Sequence, residues 1–206
     1  MPSNPKLIKS KLFSTNHRLL LEKKIRKELP LCQGKTLVLG AGHDPYRSYL
    51  VNAKEILTND IDSDLKSIDI ISTAENLPIS SNNIDSIVAI EVFEHVTDIS
   101  LCISESLRIL KPNGILYITM PFMFHIHGDP NDYRRLTLPG LRNLLGNEFK
   151  ILHGSYFGNI IHVIFDSLSS SCLPMKLLRP FFLVASLISF TSNKFPSGVT
   201  IIAAKK

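Results

Sequence analysis

The most constraining stretch of the sequence runs from residue 35 to residue 62 and reads KTLVLGAGHDPYRSYLVNAKEILTNDID. An apolar run passes into Gly40-Ala41-Gly42, a helix-start signal follows at Asp44-Pro45, and a second apolar run ends at Asp60. This order predicts a strand, a glycine turn, a short helix and a second strand that ends in an acid. Glycines allow a close approach to a ligand, and an acid placed there can accept hydrogen bonds from both hydroxyls of a ribose. The stretch therefore predicts an α/β fold that binds a nucleoside-type ligand.

The residues missing from this stretch narrow the choice of ligand. A dinucleotide site needs a third glycine, and that position holds Pro45, while no lysine follows the turn as a phosphate-binding loop requires. A cofactor with a ribose and no phosphate fits better, and S-adenosylmethionine is the common one. A nicotinamide dehydrogenase is the rival enzyme class, and a tight turn that binds no ligand is the structural alternative.

Apolar periodicity and turn residues divide the rest of the chain into alternating helices and strands. The predicted helices cover residues 16–29, 46–51, 98–110 and 137–145, and the predicted strands cover residues 36–39, 55–58, 68–72, 84–90, 115–120, 150–155 and 199–204. The motif Lys111-Pro112-Asn113-Gly114 is expected to end the third of these helices. Alternation at this spacing predicts a doubly wound, mostly parallel sheet of seven strands.

Composition indicates a single domain in a reducing compartment. With 206 residues, of which 44% are hydrophobic, the chain can bury a sizeable core. The three cysteines (Cys32, Cys102 and Cys172) lie far apart and lack metal-ligand spacing, so we expect buried apolar side chains and no metal. A cytoplasmic protein is expected, with peripheral contact to the inner face of the membrane as an alternative.

Positive charge is concentrated at the start of the chain. Residues 1–35 hold nine lysines and arginines against two glutamates, which gives +7, so the remainder of the chain, with a total of +5, carries −2. Such an arm can contact anionic lipid or nucleic acid, but we favour a solvated helix face with a frayed terminus. No nucleic-acid partner is expected, because no aromatic residues interleave the charges.

The segment from Gly158 to Phe190 is rich in apolar residues, but its longest uninterrupted run falls short of the ~20 residues that a bilayer requires. Two hypotheses remain for it. One is a helical lid over the acceptor pocket, which we favour, and the other is an interfacial surface that reaches a lipid-linked acceptor.

Taken together, these motifs resemble the class I S-adenosylmethionine-dependent methyltransferases of the type 11 methyltransferase-domain family. The resemblance covers residues 16–153 and rests on LVLGAGHDPY, TNDID, TAENLPISSNNIDSIVAIEVFEHV, ESLRILKPNGILYITMPF and HGDPNDYRR. It implies a Rossmann-like fold with helices on both faces and an antiparallel last strand. The expected organisation is one methyltransferase domain: a basic arm and helix (1–34), a cofactor-binding core (35–155), a hydrophobic helical lid (156–198) and a closing strand (199–206).

The resemblance also implies which residues bind S-adenosylmethionine. Gly40, Ala41 and Gly42 would approach the methionine and ribose portions, and Asp60, with Ile61 beside it, would take the ribose hydroxyls. Thr73 and Ala74, followed by Glu75, would flank the adenine, and Glu91 would lie near the carboxypropyl group. Val38 and Thr73 depart from the acids usual in this family, so a catalytically inactive, cofactor-binding partner subunit is the alternative function.

On the acceptor side, methyl transfer to oxygen requires a base, and the loop after the fifth strand carries two imidazoles. His125 and His127 are therefore the catalytic candidates. The acceptor-binding candidates are His95, Asp129, Tyr133 and Arg134. A metal held by His125 and His127 with Asp129 or Asp132 is the less favoured alternative. The expected reaction is methyl transfer to a small-molecule, sugar or lipid-like acceptor.

Overall fold

The computed structural model describes residues 14–43, 46–65, 67–128, 131–171, 177, 179–187 and 190–206. The described helices are α1 (Asn16–Glu28), α2 (Ile99–Ile109), α3 (Leu138–Leu145), α4 (Ile160–Ser171) and α5 (Arg179–Phe182), with 3₁₀ turns at Leu29–Leu31, Arg47–Tyr49 and Leu183–Leu187. The strands are β1 (Gln33–Leu39), β2 (Asn52–Asp60), β3 (Ile70–Ile71), β4 (Ile84–Ile90), β5 (Leu110–Pro121), β6 (Phe149–Phe157) and β7 (Gly198–Lys205).

All seven strands join one sheet in the order β3-β2-β1-β4-β5-β7-β6. Strand β1 pairs in parallel with both β2 and β4, and the pairs β2–β3 and β4–β5 are also parallel. Strand β7 runs antiparallel to β6, because Ser197 before its start donates to the Phe157 carbonyl and Lys206 after its end donates to the Glu148 carbonyl. The predicted fold is confirmed.

The order of the central strands fixes where a ligand can bind. The chain leaves β1 toward β2 on one side and later returns to β4 on the other, so the connections diverge at the carboxyl ends of β1 and β4. This divergence opens a crevice between the loops, and ligands of doubly wound sheets bind there. Successive side chains are buried in both strands: Leu37 and Val38 in β1, with Ile87 and Val88 in β4, are at most 7% exposed. Both strands are covered on two faces, as their continuous apolar sequences predict.

The first helix shows the apolar stripe that its sequence predicts. Leu21 and Ile25 in α1, and Leu29 just after it, are at most 3% exposed. Buried Glu28 at the end of α1 accepts hydrogen bonds from the hydroxyls of Tyr117 (3.2 Å) and Thr200 (3.0 Å). The helix end is thereby joined to β5 and β7 through a carboxylate that has partners.

Helices α2 and α3 both start at side-chain caps; the loop between β5 and α3, which carries His125 and His127, is hereafter called the acceptor loop. Asp98 accepts hydrogen bonds from the backbone N–H groups of Ser100 and Leu101, so α2 begins where the sequence predicts. Thr137 accepts from the N–H of Gly140 and starts α3 in the same way.

Two local predictions are wrong. The helix expected over residues 46–51 is only a 3₁₀ turn at Arg47–Tyr49, because Leu50 is the one buried residue of that segment and no apolar stripe supports a longer helix. The motif expected to end α2 instead lies inside β5, which begins at Leu110 directly after the helix. A register shift in the β4–β5 pairing and a φ of +63° at Asn113 accommodate it as a bulge. Asp44 and Pro45, the expected helix cap, lie outside the described residues.

The described residues fall into two compact units. One contains those within 25–120, 127–155 and 199–206, and it holds the central strands. The other contains those within 1–24, 121–126 and 156–198; there Asp166 of α4 accepts from the backbone N–H groups of Asn16 and His17, each at 2.7 Å. None of the helices in the described ranges combines the length and apolar composition needed to cross a bilayer. The division into arm, core, lid and closing strand stays a prediction.

Candidate active site

The glycine turn is tied directly to the acid at the end of the neighbouring strand. Gly40 and Gly42 have φ angles of +56° and +51°, which side-chain-bearing residues rarely adopt. The Gly42 N–H donates to Asp60 Oδ2 (2.8 Å), and the Ala41 N–H donates to the Asn59 carbonyl (2.9 Å). The turn after β1 and the end of β2 therefore form one rigid unit.

The two glycines serve different purposes. A Cβ on Gly40 would lie 2.7 Å from a methyl of Val92, so this glycine is required by protein packing. A Cβ on Gly42 would meet no protein atom within 4 Å, so its missing side chain leaves open space. The missing side chain of Gly42 therefore leaves space that a ligand can occupy.

Asp60 is held in place and retains acceptor capacity. Its Oδ2 accepts from Gly42 and its Oδ1 accepts from the N–H of Asp62 (3.1 Å). Each carboxylate oxygen can accept a second hydrogen bond, so two positions remain for a ligand. A vicinal diol supplies two hydroxyl donors at that separation.

A cavity of about 700 Å³ lies along these groups, a size typical of small-molecule sites. The sequence-predicted residues that line it are Gly40, Gly42, Asp60, Ile61, Thr73, Ala74, Glu75, Glu91, His95 and Tyr133. Ala41 is buried beneath the turn, with 5% exposure, and does not belong to the cavity lining.

Glu91 at the end of β4 has a strained backbone. Its φ is +54°, uncommon for a residue with a side chain, and its N–H donates to the Thr119 carbonyl (3.1 Å) while the Thr119 hydroxyl donates to Glu91 Oε1 (2.9 Å). Such strain persists only where the surroundings impose it, and it concentrates at functional sites. The side chain lines the cavity at the topological switch point.

Glu75 has a role within the protein as well. Its Oε1 accepts from the backbone N–H groups of Thr97 (3.0 Å) and Asp98 (3.4 Å), just before α2. These bonds fix the loop after β4 against the loop that carries Thr73 and Ala74.

Next to the cavity, Glu94, His95 and His127 form a cluster, hereafter the Glu94–His95–His127 cluster. Glu94 Oε1 lies 3.6 Å from His95 Nε2 and 4.0 Å from His127 Nε2. The two imidazoles meet edge to face, with their centroids 5.0 Å apart. Strand β4 ends four residues before Glu94, and the acceptor loop supplies His127, so two distant parts of the sequence build the cluster.

The other ring nitrogens of both histidines face acceptors. His95 Nδ1 lies 2.6 Å from the carbonyl of Asn131, and because a carbonyl only accepts, Nδ1 carries the proton. His127 Nδ1 lies 3.2 Å from Asp132 Oδ2. Arg135 holds the pKa of Asp132 down, to about 2, so this oxygen also accepts. In the neutral rings, both Nε2 atoms therefore present lone pairs toward Glu94.

Glu94 is the most perturbed acid of the site. It is fully buried, and neither carboxylate oxygen has a hydrogen-bond partner among the described residues. Burial, with a second contribution from the charge of Glu91, raises the pKa of Glu94 to about 9.

Two arginines stabilise the acceptor loop: one pairs with an acid of the same loop, and the other binds the backbone after β4. Arg135 pairs with both oxygens of Asp132, whose side chain is 1% exposed. Arg134 donates to three backbone carbonyls after β4, those of Phe93, Val96 and Thr97. The guanidinium of Arg134 thus braces the loop that presents Glu94 and His95.

The remaining predicted residues do not join the cluster. His125 is exposed and stacks on Phe124, with ring centroids 4.2 Å apart. It belongs to the unit that contains α4. Tyr133 is half-exposed, and its N–H donates to the Glu94 carbonyl (2.8 Å). Asp129 lies outside the described residues.

Residues 37–118 match the family model described as "Methyltransferase domain". Residues 37–118 thus resemble a methyltransferase domain, as the sequence motifs predict, and the match supports S-adenosylmethionine as the cofactor. No curated protein matches its sequence. Among solved structures, it resembles an S-adenosylmethionine-dependent methyltransferase from Archaeoglobus fulgidus with a TM-score of 0.61 and 17% identity, over 98% of this chain and 100% of that one.

Two further structures show the same fold. A methyltransferase from Mesorhizobium loti aligns with a TM-score of 0.59 and 15% identity, over 89% of this chain and 96% of that one. The [4+2]-cyclase SpnF aligns with a TM-score of 0.59 and 18% identity, over 92% and 80% of the two chains. At these identities the likeness concerns the fold alone.

Two residues of this site, Glu94 and Asp132, are not among the predicted catalytic, cofactor-binding or acceptor-binding residues, and Asp132 appears only in the less favoured metal alternative. Glu94 stands beside His95 in the FEHV motif, but its complete burial is a property of the packed sheet. The signal for Asp132 is its spacing from Arg135, three residues away, which suits a local ion pair on the acceptor loop.

Proposed function

We propose that this methyltransferase transfers a methyl group from S-adenosylmethionine to a hydroxyl oxygen of a small acceptor, such as a sugar or a lipid-like alcohol. When bound, the cofactor supplies an electrophilic methyl group on its sulfonium. The observation that carries the proposal is the convergence of His95 Nε2, His127 Nε2 and Glu94 Oε1 beside the cavity.

The residues along the cavity fit the cofactor. The open space at Gly42 and the two remaining acceptor positions of Asp60 suit a ribose. Thr73, Ala74 and Glu75 line the same cavity and would flank the adenine, and Glu91, at the end of β4, lines it too and would lie near the methionine part. We assign cofactor binding to these residues together with Gly40, Ala41 and Ile61.

Oxygen is favoured over nitrogen because of the groups on the acceptor side. An alcohol attacks well only when its proton is removed, whereas a neutral amine already offers a lone pair. The cluster supplies nitrogen lone pairs whose orientation is set by Asn131 and Asp132. His127 is the proton-accepting group in this proposal, His95 and Tyr133 position the acceptor, and Arg134 acts through the loop that it braces.

The first test of this proposal is to assay transfer of labelled methyl groups to matched alcohol, amine and thiol acceptors. We expect labelling of alcohols, and a loss of about a hundredfold or more in kcat for His127→Ala, because general acid–base groups contribute typically ~10²–10⁴-fold. Cofactor affinity should stay within about twofold.

His153→Ala is the matched control, because this exposed histidine lies in β6 and outside the cavity lining. It should leave turnover unchanged. Labelling of amines or thiols only, or equal turnover in the wild type and His127→Ala, would contradict the proposal.

A further inference from the structure

We propose that the Glu94–His95–His127 cluster binds one divalent transition-metal ion, of the Zn²⁺, Fe²⁺ or Co²⁺ class, through Glu94 Oε1, His95 Nε2 and His127 Nε2. This deepens the proposed function, since it names what the acceptor-side cluster holds. Two histidines and one carboxylate are a ligand set typical of catalytic zinc and of non-haem iron.

The spacing of the three ligand atoms suits such an ion. They lie within 4.8 Å of one another, with Glu94 Oε1 at 3.6 Å and 4.0 Å from the two nitrogens. Metal–ligand bonds of about 2.0–2.2 Å in a tetrahedral site place neighbouring ligands roughly 3.3–3.5 Å apart. Shifts of under about 1 Å close the cluster around a metal.

In both histidines, the ring nitrogen that does not face Glu94 has the kind of partner that metal-bound histidines usually have. A metal-bound histidine usually gives its other ring N–H to a backbone carbonyl or a carboxylate, which fixes the tautomer and orients the ring. His95 does so with the Asn131 carbonyl and His127 is placed to do so with Asp132, the acid that Arg135 holds charged. The Nε2 atoms of both rings lie near the same carboxylate oxygen, Glu94 Oε1.

Glu94 supplies an independent observation. A fully buried carboxylate without a hydrogen-bond donor among the described residues costs several kcal/mol unless a proton or a metal neutralises it. Three lone-pair atoms converge there, and a cation is the group that satisfies all three together. Imidazole ligands favour transition metals over Mg²⁺ and Ca²⁺, which prefer oxygen.

The position of the cluster gives the metal a function. His95 also lines the cavity, so a coordination position not taken by protein faces the space where an acceptor would lie. A catalytic site keeps such an open position. With the metal present, His127 Nε2 is a ligand and does not accept the proton; the metal would act as a Lewis acid that lowers the pKa of the acceptor hydroxyl, whose proton would pass to solvent.

The experiment measures metal content, so its failure is distinguishable from a failure of methyl transfer. Untagged protein is stripped with chelator, loaded with Co²⁺ or Zn²⁺, dialysed and analysed for metal by mass spectrometry. We expect one equivalent per chain and, for Co²⁺, visible d–d absorption typical of tetrahedral coordination. Glu94→Gln, which keeps the shape of the side chain, should lose the stoichiometric metal and the absorption.

Two variants extend the test. Asp132→Asn should weaken metal affinity about ten- to a hundredfold, as loss of an outer-shell partner does. His153→Ala controls for adventitious binding by an exposed histidine and should retain the full equivalent. Circular dichroism confirms that each variant is folded, and His95→Gln replaces Glu94→Gln if the latter does not fold.

Wild-type protein without stoichiometric metal would overturn the proposal, and so would equal metal content in all folded variants. The first outcome means that a proton on Glu94, shared with an imidazole, satisfies the cluster. Both outcomes leave the alcohol acceptor of the proposed function open to its own assay.

Discussion

The substitution Gly42→Ala tests whether the space beside this glycine is part of the cofactor site. Because a Cβ there meets no protein atom, Gly42→Ala places its methyl in the cavity. The residue has a positive φ, so the substitution should also cost about 1 kcal/mol of folding free energy. We expect a clear loss of cofactor affinity, tenfold for each ~1.4 kcal/mol of steric conflict, measured by calorimetry.

Gly146 provides a matched control for this variant. It has a φ of +62° at the end of α3, and a Cβ there also meets nothing within 4 Å, but it lies outside the cavity lining. Gly146→Ala should destabilise the fold at least as much, because a φ of 62° with a ψ of −158° is essentially confined to glycine, and it should leave cofactor affinity unchanged. Equal affinity losses in both variants would show that strain, not the cavity, is responsible.

Asp60 carries the corresponding prediction for the ribose. Removal of a charged acceptor in Asp60→Ala should weaken cofactor binding by about 1.5–3 kcal/mol, roughly ten- to a hundredfold. Asp62, which also lines the cavity, accepts from the N–H of Asp64 (2.9 Å) within its own turn. Asp62→Ala should therefore have a small effect, and a larger loss in this variant would move the ribose role to Asp62.

At the residue scale, sequence patterns locate backbone motifs better than they locate charged clusters. The glycine turn and Asp60 are adjacent in the fold because strands β1 and β2 are parallel neighbours, which the alternating pattern predicts. The contact between Glu94 and His127 joins segments 33 residues apart in the sequence, and no periodicity encodes it. Tertiary packing alone makes Glu94 buried.

Among the structural elements, β1, β4 and β5 are joined by Asp85, and this ion pair gives a pH-dependent prediction. Its carboxylate accepts from the N–H of Lys35 (2.8 Å) and from Lys111 Nζ (2.8 Å). Lys111 first, and then the Lys35 N–H, hold the pKa of Asp85 below its ordinary value. A lowered pKa means stability that is present above the unfolded-state pKa of about 3.9 and lost as the pH falls through the folded-state pKa.

Asp85→Asn should therefore lower the free energy of unfolding by about 1 kcal/mol at neutral pH, a figure discounted for the partial exposure of the pair. The difference from wild type should shrink as the pH drops below about 4. Urea unfolding at pH 7 and pH 3 measures it, with Asp64→Asn as the control for loss of an exposed charge. A difference that grows in acid would reverse the assigned sign.

At the element scale, the sequence predicts strands and helix caps well, but it misplaces a turn-like motif that lies inside a strand. Residues 111–114 have the composition of a helix end, yet they lie in β5 because β4 pairs with Leu110 before them and with Ile115 after them. Asn113 and Gly114 suit a bulge as well as a helix terminus, since both tolerate unusual backbone angles. Only the neighbouring strand decides between these outcomes.

At the scale of the whole molecule, the unit that contains α4 has an exposed apolar surface. Ile160, Ile164 and Leu168 recur at four-residue spacing on this helix and are 37–47% exposed. An exposed apolar stripe, together with the +7 charge of residues 1–35, favours contact with an anionic lipid surface over a lid.

We expect co-sedimentation with anionic vesicles that weakens as the salt concentration rises. Ile164→Glu should abolish it, whereas Leu101→Glu, a matched change at an exposed leucine of α2, should have no effect. Protein that stays in the supernatant at low salt would favour the lid instead.

The strand order has a consequence for how the molecule becomes competent to bind. Strand β1 must pair with β2, about 20 residues away, and with β4, about 50 residues away, before the crevice exists. Pairings over such separations form slowly, because the chain loses the entropy of loop closure before the strand contacts that offset this loss have formed. The cofactor has affinity only for the finished sheet, so it draws the folding equilibrium toward the native state by mass action. Cellular levels of the methyl donor would thereby influence how much of this chain survives as folded protein.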